Sequence, residues 1–152
     1  GILLNLAAVV NAHDSSVLWG FNSRYAAGAS PEKNPELDKL VGYAVAYYQD
    51  FVRPSKQYRL PSDKERGALG QLVSGLQLLP KNAAAADIQN LVFQVGNDTG
   101  FENLREWFRA LYETLLGQSQ GPRMGSFIAL YGIDETIGLI ESVMAGKDLG
   151  SK

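Results

Sequence analysis

Apolar residues recur at intervals of three and four along almost the whole chain, and no stretch alternates at period two. That spacing is the mark of amphipathic α-helices. Leu3, Leu4, Leu6, Ala7 and Val10 predict a first helix ending near His13. Val17, Leu18, Phe21 and Tyr25 predict a second, capped by Asp14 or Ser15. After a loop over residues 28–33, Asn34-Pro35 is a start signal, because proline at the first helical position gives up no needed hydrogen bond. From there Leu37, Leu40, Val41, Ala44, Tyr48 and Phe51 form one stripe, which Pro54 closes.

Residues 53–61 are a basic connector bounded by prolines. Ser62 and Glu65 then have capping-box spacing, each side chain able to satisfy the other's backbone donor. Leu69, Leu72, Val73 and Leu76 make the inward stripe of that helix, and Pro80 ends it. Asn82 is the expected cap of the next, with Ala84, Ile88, Leu91, Val92 and Val95 inward and Gly96 as its stop. Thr99 is expected to open a longer helix carrying Phe101, Leu104, Trp107, Phe108, Leu111 and Leu115 as far as Gly117. A short helix follows Ser126, with Phe127, Ile128, Leu130 and Tyr131, and stops at Gly132. Asp134 caps the last, with Ile137, Ile140 and Met144 inward up to Gly146. The pattern therefore predicts an all-α helical bundle of about eight helices. It divides into a subdomain over 1–61 ending in the connector, a second over 62–146, and a tail over 147–152.

Composition narrows the chemistry. A chain of 152 residues with 45% hydrophobic and 20% charged residues is too apolar for disorder, and 16 Gly with 6 Pro is too few for a low-complexity chain. Zero cysteines exclude disulfides, thiolate metal sites and a thiol nucleophile. A single histidine, His13, removes nearly every histidine-based metal site or catalytic triad; it reads as a residue near a helix C-terminus, where the dipole favours it. No apolar run reaches the ~18 residues of a membrane span, and the opening stretch lacks a basic leader. Asn97-Asp98-Thr99 fits a glycosylation pattern that, without a secretory signal, reads as a loop. A chain opening in mid-helix without methionine is expected to be a cytoplasmic piece of a longer protein.

Three features remain as candidate chemistry. Glu102 and Glu106 sit four apart, each three before an arginine (Arg105, Arg109), which is the pattern of a solvated face of ion pairs. Gly121-Pro122-Arg123-Met124-Gly125-Ser126 is a glycine-rich turn before a helix N-terminus, where free amides favour an anion; it reads equally as a structural corner. Residues 53–66 concentrate Arg53, Lys56, Arg59, Lys64 and Arg66 against Asp63 and Glu65, in a chain of net charge −2. Tyr58 lies among these cations, so the segment is either a solvated linker or a place where a base stacks while cations hold phosphates. Tyr47, Tyr48, Phe101, Trp107, Phe108 and Tyr131 have core spacing. No phosphate-binding glycine loop is present.

Several stretches, in order, resemble the C-terminal region of class I lysyl-tRNA synthetases. They are Tyr47-Tyr48-Gln49-Asp50-Phe51-Val52 with the connector, Gly96-Asn97-Asp98 leading into Phe101-Glu102-Asn103-Leu104, and Gly121-Pro122-Arg123-Met124-Gly125-Ser126-Phe127 followed by Ile128-Ala129-Leu130-Tyr131-Gly132. The resemblance runs from about Leu3 to Gly146. It implies an α-helical cage similar to the anticodon-binding end of glutamyl-tRNA synthetases, receiving the anticodon loop of lysine tRNA. It also implies an N-terminal Rossmann catalytic domain in the same chain, which uses ATP and lysine. That domain's two ATP-handling signatures do not occur here, so the segment itself is expected to need no cofactor or metal and to be non-catalytic. The residues expected at RNA are Arg123, on a base or its phosphate, with Ser126 and one of Phe127 and Tyr131. Lys56, Tyr58 and Arg59 are expected on the loop's backbone. A glutamyl enzyme's domain is the near alternative, against which the Tyr-Tyr-x-Asp-Phe-Val stretch argues; a helical protein–protein module is the other.

Overall fold

Where each helix of this protein starts and stops is decided by the partners its terminal backbone groups find. A computed structural model describes residues 32–47, 50 and 58–146. The two helices expected before residue 28, the Tyr48 and Phe51 positions, Pro54 and the tail lie outside the described residues. The described residues form six helices and no strand: α1 (Pro35–Tyr47), α2 (Asp63–Leu78), α3 (Ala85–Asp98), α4 (Leu104–Leu111), α5 (Met124–Tyr131) and α6 (Ile133–Met144). The fold is all-α. None of these helices is long and apolar enough to cross a membrane. The chain separates into two units, Gly1–Lys56 and Gln57–Lys152.

In the first unit, α1 buries Val41 and Val45 but leaves Leu40, Tyr43 and Tyr47 exposed. Leu40 and Tyr47, expected inward, thus lie on the outer face; Val45, one turn beyond Val41, takes the inward place.

In the second unit the capping box of α2 is closed: Ser62 Oγ accepts from the Glu65 amide at 3.2 Å and Glu65 Oε1 from the Ser62 amide at 2.9 Å. Other boundaries differ from those expected. The segment after Pro80 turns once more, with the Ala83 amide on the Pro80 carbonyl, so α3 starts after Ala84 rather than Asn82. α3 does not stop at Gly96 but runs on to Asp98. Thr99 closes it rather than opening the next helix, because its hydroxyl donates back to the Val95 carbonyl at 2.7 Å. Asn103 caps α4, accepting from the Arg105 amide at 2.9 Å. α5 begins after Arg123, two residues before Ser126. Gly132, at φ 116°, is the residue before α6, so Asp134 lies inside the first turn, where it pairs with Lys81 and complements the helix dipole.

α4 continues into one π-helical turn, Tyr112–Leu116, which ends at Gly117 with φ 71°, a left-handed conformation that favours glycine. The core is assembled from Leu69, Leu72 and Leu76 of α2, Ile88 and Val92 of α3, Trp107 and Leu111 of α4, and Phe127, Ile128 and Ile140 behind them. Trp107 is fully buried, lies 5.5 Å from the Phe101 ring in a tilted pair, and donates its indole N–H to the Val92 carbonyl at 2.9 Å. It fits because Gly96 leaves room: a Cβ there would lie 2.6 Å from the indole. The glycine that looks like a helix stop is a packing notch.

Candidate nucleic-acid interface

The turn between the π-helical segment and α5 is fastened at both ends. Gly121 lies flat against the Tyr112 ring, where a Cβ would be 2.6 Å from Cδ1, and the Tyr112 hydroxyl donates to the Pro122 carbonyl at 2.9 Å. On the other side, the Gly125 amide donates to Gln89 Oε1 at 2.6 Å, and Gly125 abuts the backbone of Ala85 and Gln89 in α3. Between these anchors Arg123 is exposed. Among the described residues its side chain makes one long hydrogen bond, Nη1 to Ser126 Oγ at 3.5 Å, and no carboxylate pairs with it. The turn therefore presents one uncompensated guanidinium from a rigid corner. One of the α5 amides expected to attract an anion, that of Gly125, is already taken by Gln89.

The anchors lead to an aromatic pair. One turn beyond Gln89 on α3 is Phe93, and one turn before Tyr112 on α4 is Phe108; their rings meet edge to face at 5.2 Å. Phe93 is 40% exposed and Phe108 half-buried. Arg105, three residues before Phe108, is exposed and makes no ion pair among the described residues.

Arg59, at the described end of the connector, lines a second feature, a cleft of about 370 Å³ shared with Lys64, Glu65, Phe101, Arg109 and Glu113, among others. Arg59 forks onto Glu65, with Nη1 to Oε1 at 2.6 Å and Nη2 to Oε2 at 2.9 Å, and its Nε reaches Glu113 at 2.7 Å. Arg109 holds the other oxygen of Glu113 at 3.0 Å. Hydrogen bonds from Arg59 hold the carboxyls of Glu65 and Glu113 below the usual carboxylate range, and the bond to Glu65 is the largest influence raising the guanidinium pKa. Lys64 donates to the Gly100 carbonyl at 2.9 Å and stands 4.5 Å over the Phe101 ring. The cleft's charges largely cancel, and they fasten Arg59 to α2 and the π-helical turn.

The expected residues thus separate into groups. Arg123 and Ser126 share the corner. Phe127 is 1% exposed, so it is the inward member of its pair, and Tyr131 is the half-exposed one, stacked on it at 5.7 Å. Five positions along a helix turn about 140°, so Tyr131 points well away from the Ser126 side; burial, then the Glu135 charge, pushes its hydroxyl pKa up. Tyr58 packs over Gly117, whose Cβ would be 2.8 Å from its ring. Arg59 is engaged as described, and Lys56 lies outside the described residues. The expected Glu106–Arg109 and Glu102–Arg105 pairs do not form, because α4 starts only at Leu104 and Arg109 turns instead to Glu113, four residues on. Sequence reasoning missed Phe93, Gln89 and Glu113; an apolar residue off the inward stripe of α3 was the one available signal for Phe93.

No family model matches the chain, and no solved structure does. Among curated proteins it is similar to the lysine--tRNA ligase of Rickettsia bellii, 49% identical over 140 residues that are 92% of this chain and 27% of that protein. The lysine--tRNA ligase of Roseobacter denitrificans is 49% identical over 146 residues, 96% of this chain and 28% of that protein. That of Rickettsia felis is 46% identical over 140 residues, again 27% of its length. The chain spans about a quarter of the length of the curated relatives it matches.

Proposed function

We propose that this chain, homologous to one segment of the lysine--tRNA ligases, is the anticodon-binding part of a class I enzyme of that kind. The observation that carries this reading is the exposed Arg123, without an ion pair among the described residues and held on a rigid corner by Tyr112 and Gln89. An all-helical body with a positive corner suits a single-stranded loop, whose unstacked bases expose their Watson–Crick edges as a paired stem does not. Arg123 then contacts an anticodon base or its phosphate, with Ser126 orienting the guanidinium. Tyr58, packed over Gly117, and Arg59, bound to Glu65 and Glu113, hold the described end of the connector in place. The whole cytoplasmic protein would join lysine to its tRNA with ATP, through a Rossmann catalytic domain elsewhere in the same chain. The names of the relatives support lysine over the glutamyl alternative.

The test is binding of the purified chain to an RNA hairpin carrying the lysine anticodon, compared with hairpins carrying unrelated anticodons. Arg123→Ala should cost about 1–3 kcal/mol and blur that discrimination if the arginine reads a base. If the folded variant discriminates like wild type, the turn is a structural corner and recognition lies elsewhere.

A further inference from the structure

The pair formed by Phe93 and Phe108 is not explained by core packing. Two-fifths of Phe93 remains in water although the buried stripe of α3, at Ile88, Val92 and Val95, is complete without it. Counting about 100° per residue, Asn90 and Asn97 flank Phe93 within roughly 60°. The two carboxylates of α3, Asp87 and Asp98, lie roughly 120–140° away from it. On α4 the same count puts Arg105 roughly 60° from Phe108 on the outer side, and Glu106 roughly 160° away. The remaining carboxylate of this helix run, Glu113, is turned into the connector cleft and neutralised by Arg59 and Arg109. An exposed ring is thus surrounded by neutral amides, with an arginine on α4 that makes no ion pair among the described residues and a second, Arg123, held between the Gln89 and Tyr112 anchors, which lie one helical turn from Phe93 and Phe108.

That composition matches one occupant. An apolar protein ligand would call for aliphatic neighbours, whereas a nucleobase wants a ring face to stack on, donors and acceptors at its edge, and a cation for its phosphate. We infer that the outer face of Phe93, buttressed by Phe108, is a stacking platform for one unpaired base of the anticodon loop. Asn90 and Asn97 stand at the edge of that base and Arg105 at its phosphate. The inference rests on the anticodon-binding reading and adds a second contact to it: Arg123 holds one part of the loop and the platform the neighbouring nucleotide. Phe108 is the buttress because its edge-to-face contact stops the Phe93 ring from swinging away when a base presses on it.

The experiment titrates a fluorescent hairpin carrying the lysine anticodon, and a fully paired duplex of the same stem, with the wild-type chain and four variants. Phe93→Leu keeps apolar volume but removes the ring, and should weaken hairpin binding about 5- to 150-fold, the equivalent of one lost base–aromatic stack, with duplex binding unchanged. Phe93→Tyr should bind like wild type. Arg105→Ala, at an exposed side chain with no ion pair among the described residues, carries little folding risk and should weaken binding and lower the salt slope by about one. If the hairpin is bound no better than the duplex by wild type, the anticodon-binding reading itself fails. If wild type prefers the hairpin and Arg123→Ala weakens it, but Phe93→Leu and Arg105→Ala bind like wild type, the platform alone is overturned. Equal losses on hairpin and duplex would also overturn it, since a paired stem offers no free base.

Discussion

Gly125 offers the sharpest test of how α5 is seated. An alanine there would place its methyl against the Ala85 carbonyl oxygen, with Gln89 Cβ and the Gln89 backbone nitrogen both at 2.8 Å. The obstacles are mostly backbone, so no side chain can swing aside and α3 and α5 must part. Overpacking of this kind costs about 1–3 kcal/mol, and the separation also breaks the amide bond from Gly125 to Gln89, worth about 0.5–1.5 kcal/mol. Alanine's better helix propensity offsets up to about 1 kcal/mol. Because backbone is the obstacle, the expected net loss is in the upper part of the resulting range, about 2–4 kcal/mol. At about 4–8 °C per kcal/mol for a unit of this size, the melting midpoint of the Gln57–Lys152 unit should drop by about 10–30 °C. The matched control is Gly67→Ala on α2, where a Cβ meets nothing within 4 Å and the helix is exposed. It should raise stability by about 0.5–1 kcal/mol. Thermal and urea unfolding followed by helical circular dichroism would report both. A Gly125→Ala variant melting at or above wild type would refute the close approach of α3 and α5.

Trp107→Ala should destabilise the second unit by about 3–5 kcal/mol in urea unfolding, since it empties a fully buried site and removes the bond to Val92. Acid should act through Glu65 and Glu113. Their folded-state pKa values lie below the ordinary 4.5, so their stabilisation is present above that value and lost as pH falls through the depressed ones. The urea midpoint of wild type should therefore fall more steeply below about pH 4.5 than that of Arg59→Gln; parallel curves would sink this assignment. The purified chain should give no lysine-dependent exchange of pyrophosphate with ATP, and measurable exchange would place catalytic groups within it.

Local signals carried far in this chain. Helical spacing, the Ser62–Glu65 box and the Pro80 stop are properties of neighbouring residues, because caps and apolar stripes are satisfied within a turn or two. The all-α class and the inward sides of α2 and α3 were legible for that reason. Arg123 was also legible, as the one cation in a glycine-bounded turn. What the residues alone did not reveal depends on partners far away in sequence. Gly96 reads as a helix stop, yet Trp107 needs its missing side chain. Thr99 and Asp134 read as N-caps, but Thr99 bonds back to Val95 and Asp134 pairs with Lys81 across the fold. Arg59 reads as an available phosphate ligand, and Glu65 and Glu113 occupy it. Phe93 reads as one more apolar helix residue, and only the docking of α4 against α3 gives it a ring partner and an open face. Periodicity specifies which side of a helix is apolar; which atoms fill that side, and which charges are left uncancelled, is settled when the helices close on one another.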